Sequence, residues 1–195
     1  MSKKIKTITI YGAASSRIPA VYFEAAVKLG KLLANNSITC INGGGIKGLM
    51  AAVTEAVLEN GGKVCGIIPE FMHNKGWLHP AIQEIIITPD MHSRKKTMAD
   101  KSDACIALPG GLGTLDELLE IITWKQLGLY NKPVVILNTA GYFDPLLAML
   151  EKADKENFAH YTTIFWQVAD TPEEALDFVL KNVQYEENIN LHSIL

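Results

Sequence analysis

Five apolar residues, Ala104-Cys105-Ile106-Ala107-Leu108, run straight into Pro109-Gly110-Gly111-Leu112-Gly113-Thr114. A short apolar run closed by turn residues reads as a strand buried on both faces. Beyond the glycines, Leu115, Leu118, Leu119, Ile122 and Leu127 recur with helical spacing and mark one face of an amphipathic helix. The glycines therefore sit where a strand becomes a helix. A strand buried on both faces needs strand neighbours on either side and helices above and below, so this one stretch already demands a layered α/β architecture.

The rest of the chain repeats the unit. Strands are expected over residues 5–11, 37–41, 63–68, 82–88, 104–108, 133–137 and 164–168. Between them, helical patterns run over residues 20–34, through Leu49, Met50, Val53, Val57 and Leu58, over 91–101, up to about Leu127, over 145–155, and onward from Pro172. Asn60-Gly61-Gly62 stops the second helix, and Pro172 suits the first turn of the last one. Strict alternation implies a mainly parallel sheet with right-handed crossovers, a Rossmann-like three-layer αβα sandwich. Residues 1–185 are expected to form a single Rossmann-like domain, with 186–195 as a polar tail. Residues 70–80 form the longest irregular stretch and carry His73, Trp77 and His79.

Composition narrows the function. A net charge of −3 without a basic block gives no footprint for nucleic acid or an anionic membrane surface. No apolar run has the length of a membrane span, and the first residues lead into a strand rather than a secretory signal, so a cytoplasmic protein is expected. Cys40, Cys65 and Cys105 lie inside apolar strand patterns and should be buried and reduced. The histidines lack ligand spacing, so no metal site and no cofactor is expected. No G-x-S-x-G elbow is present, which removes a serine nucleophile of that kind.

In open parallel sheets ligands bind beyond the carboxyl ends of the strands. Four features fall there: Gly12-Ala13-Ala14-Ser15-Ser16, Gly43-Gly44-Gly45, Met91 to Lys96, and Pro109 to Glu117. Glycines let a ligand approach the backbone, and the N–H groups of a helix start attract anions, so the last of these predicts a phosphate cradle. Glu117 lies within one turn of that cradle; the helix dipole alone would favour an acid there. Gly43, Gly45 and Gly48 satisfy G-x-G-x-x-G, with Glu70 beyond the next strand as a candidate ribose-binding acid. The fingerprint sits in the second βα unit rather than the first, which favours simple nucleotide contact or tight packing over a hydride cofactor. Arg94, Lys95 and Lys96 open a helix, where cations oppose the dipole unless an anion is near.

Pro109-Gly110-Gly111-x-Gly113-Thr114-x-x-Glu117, preceded by Met91-His92-x-Arg94-Lys95-x-x-Met98, resembles the Lonely Guy (LOG) family, cytokinin riboside 5′-monophosphate phosphoribohydrolases often labelled lysine decarboxylases. The resemblance is continuous over residues 91–133 and extends to Gly43-Gly44-Gly45, Gly48-Leu49-Met50 and Pro69-Glu70-Phe71. It implies hydrolysis of the N-glycosidic bond of an adenosine-type 5′-monophosphate, AMP or an N6-modified form, to free base and ribose 5-phosphate. It implies Arg94 and Glu117 as the catalytic pair. Nucleotide contacts would come from Lys95, Gly110, Gly111, Gly113, Thr114, Asp116, Thr123, Gly43, Gly44 and Gly45. It also implies a homodimer or an assembly of dimers. The runner-up is a non-catalytic nucleotide or molybdenum-cofactor carrier, which would keep the cradle but have no use for Glu117.

Overall fold

The computed structural model describes residues 4–159 and 165–182. Seven strands form one sheet: β1 (Thr7–Tyr11), β2 (Thr39–Asn42), β3 (Val64–Pro69), β4 (Glu84–Thr88), β5 (Ala104–Ala107), β6 (Val134–Leu137) and β7 (Gln167–Ala169). Their spatial order is β4-β3-β2-β1-β5-β6-β7, and every pairing is parallel. Seven helices connect or close them: α1 (Ala20–Asn35), α2 (Gly48–Glu59), α3 (Glu70–Asn74), α4 (Met91–Lys101), α5 (Leu112–Gln126), α6 (Asp144–Lys155) and α7 (Pro172–Asn182). The α/β class expected from the alternation is the one observed.

The strands separate two cores by their two-residue period. Ile8 and Ile10 of β1, with Ala104 and Ile106 of β5, face the cluster built on Leu29, Leu33, Val53, Val57 and Val179 of α1, α2 and α7. Tyr11, Cys105 and Ala107 point the opposite way, into Met98, Leu118, Ile121 and Ile122 of α4 and α5. A β-carbon on Gly30 would lie 2.7 Å from Cβ of Ala56, so glycine there lets α1 press closely on α2. All three cysteines are buried and free, and burial pushes the thiols of Cys40 and Cys105 up to about 12. They are packing groups. Among the described residues no helix is long and apolar enough to cross a membrane.

Three expectations need correction. The stretch 70–80 is not irregular throughout: Glu70–Asn74 is a helical turn, and Leu78 bridges back to Gly45. The third strand, expected over 63–68, runs Val64–Pro69, so Pro69 closes it, in register with Thr88. Its missing N–H is tolerated because the strand ends there. The last strand lies at Gln167–Ala169, shifted toward its helix; residues 160–164, and the expected tail 186–195, lie outside the described residues.

The strand order reverses between β1 and β5. Connections from β1 proceed to one side of the sheet, whereas α4 carries the chain from the β4 edge back across to β5. At such a switch point the loops leaving the two central strands diverge and open a crevice.

Candidate active site

The walls of that crevice are built from loops that brace one another. The Ala13 N–H donates to the carbonyl of Pro109 at 3.0 Å, joining the β1 and β5 loops, and the Leu49 N–H donates to the carbonyl of Ala13 at 2.8 Å, joining the β1 and β2 loops. Gly48, at φ +69°, sits against that junction: a β-carbon there would lie 2.3 Å from the Ala13 carbonyl oxygen. The crevice is a cavity of about 620 Å³. Its lining divides into a polar end, with Ser15, Gly111, Gly113 and Thr114, and an apolar end, with Ile46, Met50, Ile68, Met72 and Trp77. Arg94 and Glu117 also line it.

The polar end is the start of α5. Gly111 caps the helix with an extended backbone, and β-carbons built on Gly111 and Gly113 would meet nothing within 4 Å. Space beside these two glycines is thus open to a ligand, next to unpaired helix N–H groups that favour an anion. Gly110 serves differently. A β-carbon there would lie 2.1 Å from Oγ1 of Thr114 and 3.0 Å from the Ala13 nitrogen, so this glycine closes the loop onto its own helix. Its carbonyl accepts the Tyr142 hydroxyl at 2.6 Å.

Arg94, in the first turn of α4, meets Glu117, in the second turn of α5. Nη2 of Arg94 lies 3.1 Å from Oε1 of Glu117, with side-chain exposures of 8% and 9%. α4 begins cleanly because Asp90 caps it, its carboxylate accepting the Ser93 N–H at 2.7 Å. Gly43 is what admits the guanidinium: a β-carbon on Gly43 would fall 2.1 Å from Nη2 of Arg94. Nε of Arg94 is buried and has no hydrogen-bond partner, a donor left over for an incoming acceptor. Burial drives the Glu117 carboxyl up to about 7; Arg94 opposes that rise, Asp116 adds to it, Lys95 opposes it and Glu120 adds to it. Desolvation of the charged form outweighs the neighbouring cation here. A carboxyl poised near neutrality can act both as carboxylate and as proton carrier.

Arg94, Lys95 and Lys96 thus find anions within the protein. Arg94 pairs with Glu117, while Nζ of Lys95 lies 3.0 Å from Oδ2 of Asp116 and 3.1 Å from Oε1 of Glu120. Lys96 stays solvated beside Asp100.

Of the residues singled out from sequence, the structure brings Arg94, Glu117, Gly43, Gly45, Gly111, Gly113 and Thr114 to the cavity wall. Gly110 lies behind that wall. Gly44, at φ +69°, packs on Leu78 and takes part in a turn in which its N–H donates to Oδ1 of Asn42 at 2.8 Å. Lys95 and Asp116 engage each other outside the lining. Thr123 lies two turns along α5 from Asp116, exposed, its hydroxyl donating to the Leu119 carbonyl at 2.8 Å. Glu70 is exposed on α3 and does not line the cavity. Met91 rather than His92 reaches the wall, and Ser15 rather than Ser16. Sequence reasoning did not pick out Ile46, Met50, Ile68 or Met72, because an apolar side chain lining a pocket has the same pattern as one filling a core. Among the described residues no group of His, Cys, Asp or Glu could hold a metal ion.

A parallel sheet whose switch point combines an anion-accepting helix start with a buried acid–guanidinium pair defines a Rossmann-like α/β protein with a site equipped for acid–base chemistry. Residues 50–179 match the family model described as possible lysine decarboxylase. The probable cytokinin riboside 5′-monophosphate phosphoribohydrolase LOGL1 of Oryza sativa subsp. japonica is 44% identical over 151 residues, 77% of this chain and 68% of that protein. The cytokinin riboside 5′-monophosphate phosphoribohydrolase LOG1 of Arabidopsis thaliana is 42% identical over 158 residues, covering 81% of this chain and 74% of its own length. The chain belongs to the LOG family, as its glycine loop and Arg94–Glu117 motifs implied. Among solved structures, the molybdenum cofactor binding protein of Rippkaea orientalis superposes with a TM-score of 0.72 at 22% identity, over 93% of this chain and 99% of that one. The Moco carrier protein of Chlamydomonas reinhardtii gives 0.70 at 22% identity, over 94% and 99%. At that identity the likeness is one of fold.

Proposed function

We propose that the protein hydrolyses the N-glycosidic bond of adenosine-type nucleoside 5′-monophosphates, AMP or a cytokinin riboside monophosphate, releasing base and ribose 5-phosphate. The observation that carries the reading is the buried Arg94–Glu117 pair, at 3.1 Å, lining the cavity that also contains the open start of α5. The relatives named as phosphoribohydrolases support the reaction class.

The 5′-phosphate docks on the N–H groups beside Gly111, Gly113 and Thr114, where the helix dipole favours its charge. That orients the sugar toward Glu117 and the base toward Met50, Met72 and Trp77. Cleavage passes through an oxocarbenium-like state, and a carboxylate held in a water-poor site stabilises that charge strongly. Ionised Glu117 also has the basicity to take a proton from the attacking water. Arg94 holds Glu117 and offers its spare N–H to a sugar or phosphate oxygen. Phosphate binding, remote from the bond that breaks, contributes to bringing the anomeric carbon into position.

A carrier of nucleotide or molybdenum cofactor would keep the glycine cradle, but it gives no reason to bury a carboxyl at the cost of raising it to about 7. We further propose a cytoplasmic homodimer, or an assembly of dimers, in which residues 1–185 act as one nucleotide-binding domain. The exposed Leu112, Leu119, Leu127 and Leu129 on and just after α5 support self-association. An adenine-release assay with AMP, isopentenyl-AMP, GMP and CMP, each beside its nucleoside, tests the reaction. Release that depends on the 5′-phosphate is expected; binding of AMP without any base release over long incubation refutes it.

A further inference from the structure

Lys95 neighbours Arg94 in sequence yet faces another set of groups. Its side chain is 8% exposed, and its ammonium is bonded to two carboxylates one helical turn apart on α5, Asp116 at 3.0 Å and Glu120 at 3.1 Å. None of the three lines the cavity. The two adjacent residues of α4 therefore make two adjacent rungs to α5: Arg94 to Glu117, and Lys95 to the pair that brackets Glu117 in sequence. We propose that Lys95 is a positioning residue, whose clamp on Asp116 and Glu120 fixes α4 against α5 and so aims Arg94 and Glu117, without touching the nucleotide. This rests on the hydrolase reading for its effect on turnover, but the clamp itself stands on the geometry.

Three physical points favour a clamp over a ligand contact. A buried ammonium has three donors, and the carboxylates already take two of them at bonding distance. Drawing Lys95 toward a phosphate would leave Asp116 and Glu120 as uncompensated like charges on one helical face, which is unfavourable. Burial alone would lower the Lys95 pKa, but the hydrogen bonds it donates to Asp116 and Glu120 overcome it and hold the ammonium more firmly charged than an exposed lysine. The groups facing Glu117 are Arg94 and Lys95 from α4, Asp116 and Glu120 from its own helix, and Tyr11 from β1. Lys95 is thus both a strut and half of the positive charge near the catalytic carboxyl.

The test uses Lys95→Met, which keeps the buried stem, and the charge-balanced triple variant Lys95→Met/Asp116→Asn/Glu120→Gln. Asp116 and Glu120 retain solvent contact, so neither variant strands a buried charge. For Lys95→Met the expectation is a fall in kcat of about tenfold or more, with KM for AMP changing by less than about threefold. Its Glu117-dependent pH midpoint should rise by about half a unit or more, and the triple variant should return that midpoint toward wild type while kcat stays low. The midpoint is read twice, from kcat/KM against pH and from urea unfolding against pH, and the second readout needs no turnover. Absence of base release in the wild type therefore sinks the hydrolase reading while the unfolding arm still decides the clamp. A rise of tenfold or more in KM, or in the Kd of ribose 5-phosphate, at unchanged kcat makes Lys95 a ligand contact and overturns the proposal. So does an unmoved unfolding midpoint in Lys95→Met.

Discussion

Replacing Glu117 with glutamine separates two forces that act on the same carboxyl in opposite directions. Burial raises it from 4.5 to about 7, while the Arg94 guanidinium at 3.1 Å pulls it down. If desolvation wins, as the net value indicates, folding binds a proton more tightly at Glu117 than the unfolded chain does. The associated stability is fully present below about pH 4.5 and is lost as pH rises through about 7. A displacement from 4.5 to about 7 corresponds to roughly 3 kcal/mol, of which roughly 2–3 kcal/mol is lost between pH 5 and pH 8. Glutamine carries no charge at either pH. Glu117→Gln should therefore match the wild type closely at pH 5 and be more stable at pH 8 by roughly 2–3 kcal/mol, measured by urea unfolding. The alternative has the opposite sign. Were the ion pair dominant, the variant would be the less stable protein at pH 8, by the roughly 3–5 kcal/mol that breaking a buried pair costs. Base release from AMP should meanwhile fall by about 10²–10⁴, the usual range for losing a charge stabiliser or general base. Parallel stability profiles for the two proteins would refute the account of a desolvated carboxyl. A variant that gains stability while losing turnover would identify Glu117 as a group kept for chemistry.

Further outcomes follow from the same geometry. Wild-type kcat/KM for AMP should rise with pH through a midpoint near 7, because ionised Glu117 is the working form; a flat profile from pH 5 to 9 contradicts this. Gly111→Ala, whose new carbon meets no protein atom within 4 Å, should leave folding stability within about 0.5 kcal/mol while raising KM for AMP at least about tenfold; unchanged KM would remove the phosphate from that site. Gly43→Ala places a carbon 2.1 Å from Nη2 of Arg94, so kcat should drop by about tenfold or more as the pair is displaced. Retained activity there would mean that Arg94 is not needed where it stands. Leu118→Ala, fully buried between α5 and β1/β5, should cost about 2–5 kcal/mol in urea unfolding without altering KM; a loss below 1 kcal/mol would contradict the packing described.

The strand–glycine–helix unit at residues 104–127 could be read directly, because apolar continuity, glycine and helical spacing are local properties that burial and backbone geometry impose at short range. The same holds for the alternation that defines the sheet, and for Arg94 and Glu117, which the LOG motif marks. Errors arose where local signals are weak. Residues 70–74 form a single helical turn without enough periodicity to announce itself. Gly44 looked like its neighbours Gly43 and Gly45, yet it is required by a positive φ and by Leu78 rather than by the cavity.

What sequence alone determined, then, is the class of fold, the glycine-rich helix start beyond the central strand, and the identity of the charged groups near it. Tertiary structure decided how those charges pair. Three cations in a row at the start of α4 called for an anion nearby; packing of α4 against α5 brings Glu117 to Arg94 and Asp116 and Glu120 to Lys95, and leaves Lys96 solvated beside Asp100. It also decided that Glu117 titrates near neutrality, since desolvation depends on what surrounds a group in space. The physical reason is range. Propensity and periodicity act over a few residues, whereas the sequence separation of 21 between Lys95 and Asp116 is closed to 3.0 Å only by the crossover through β5.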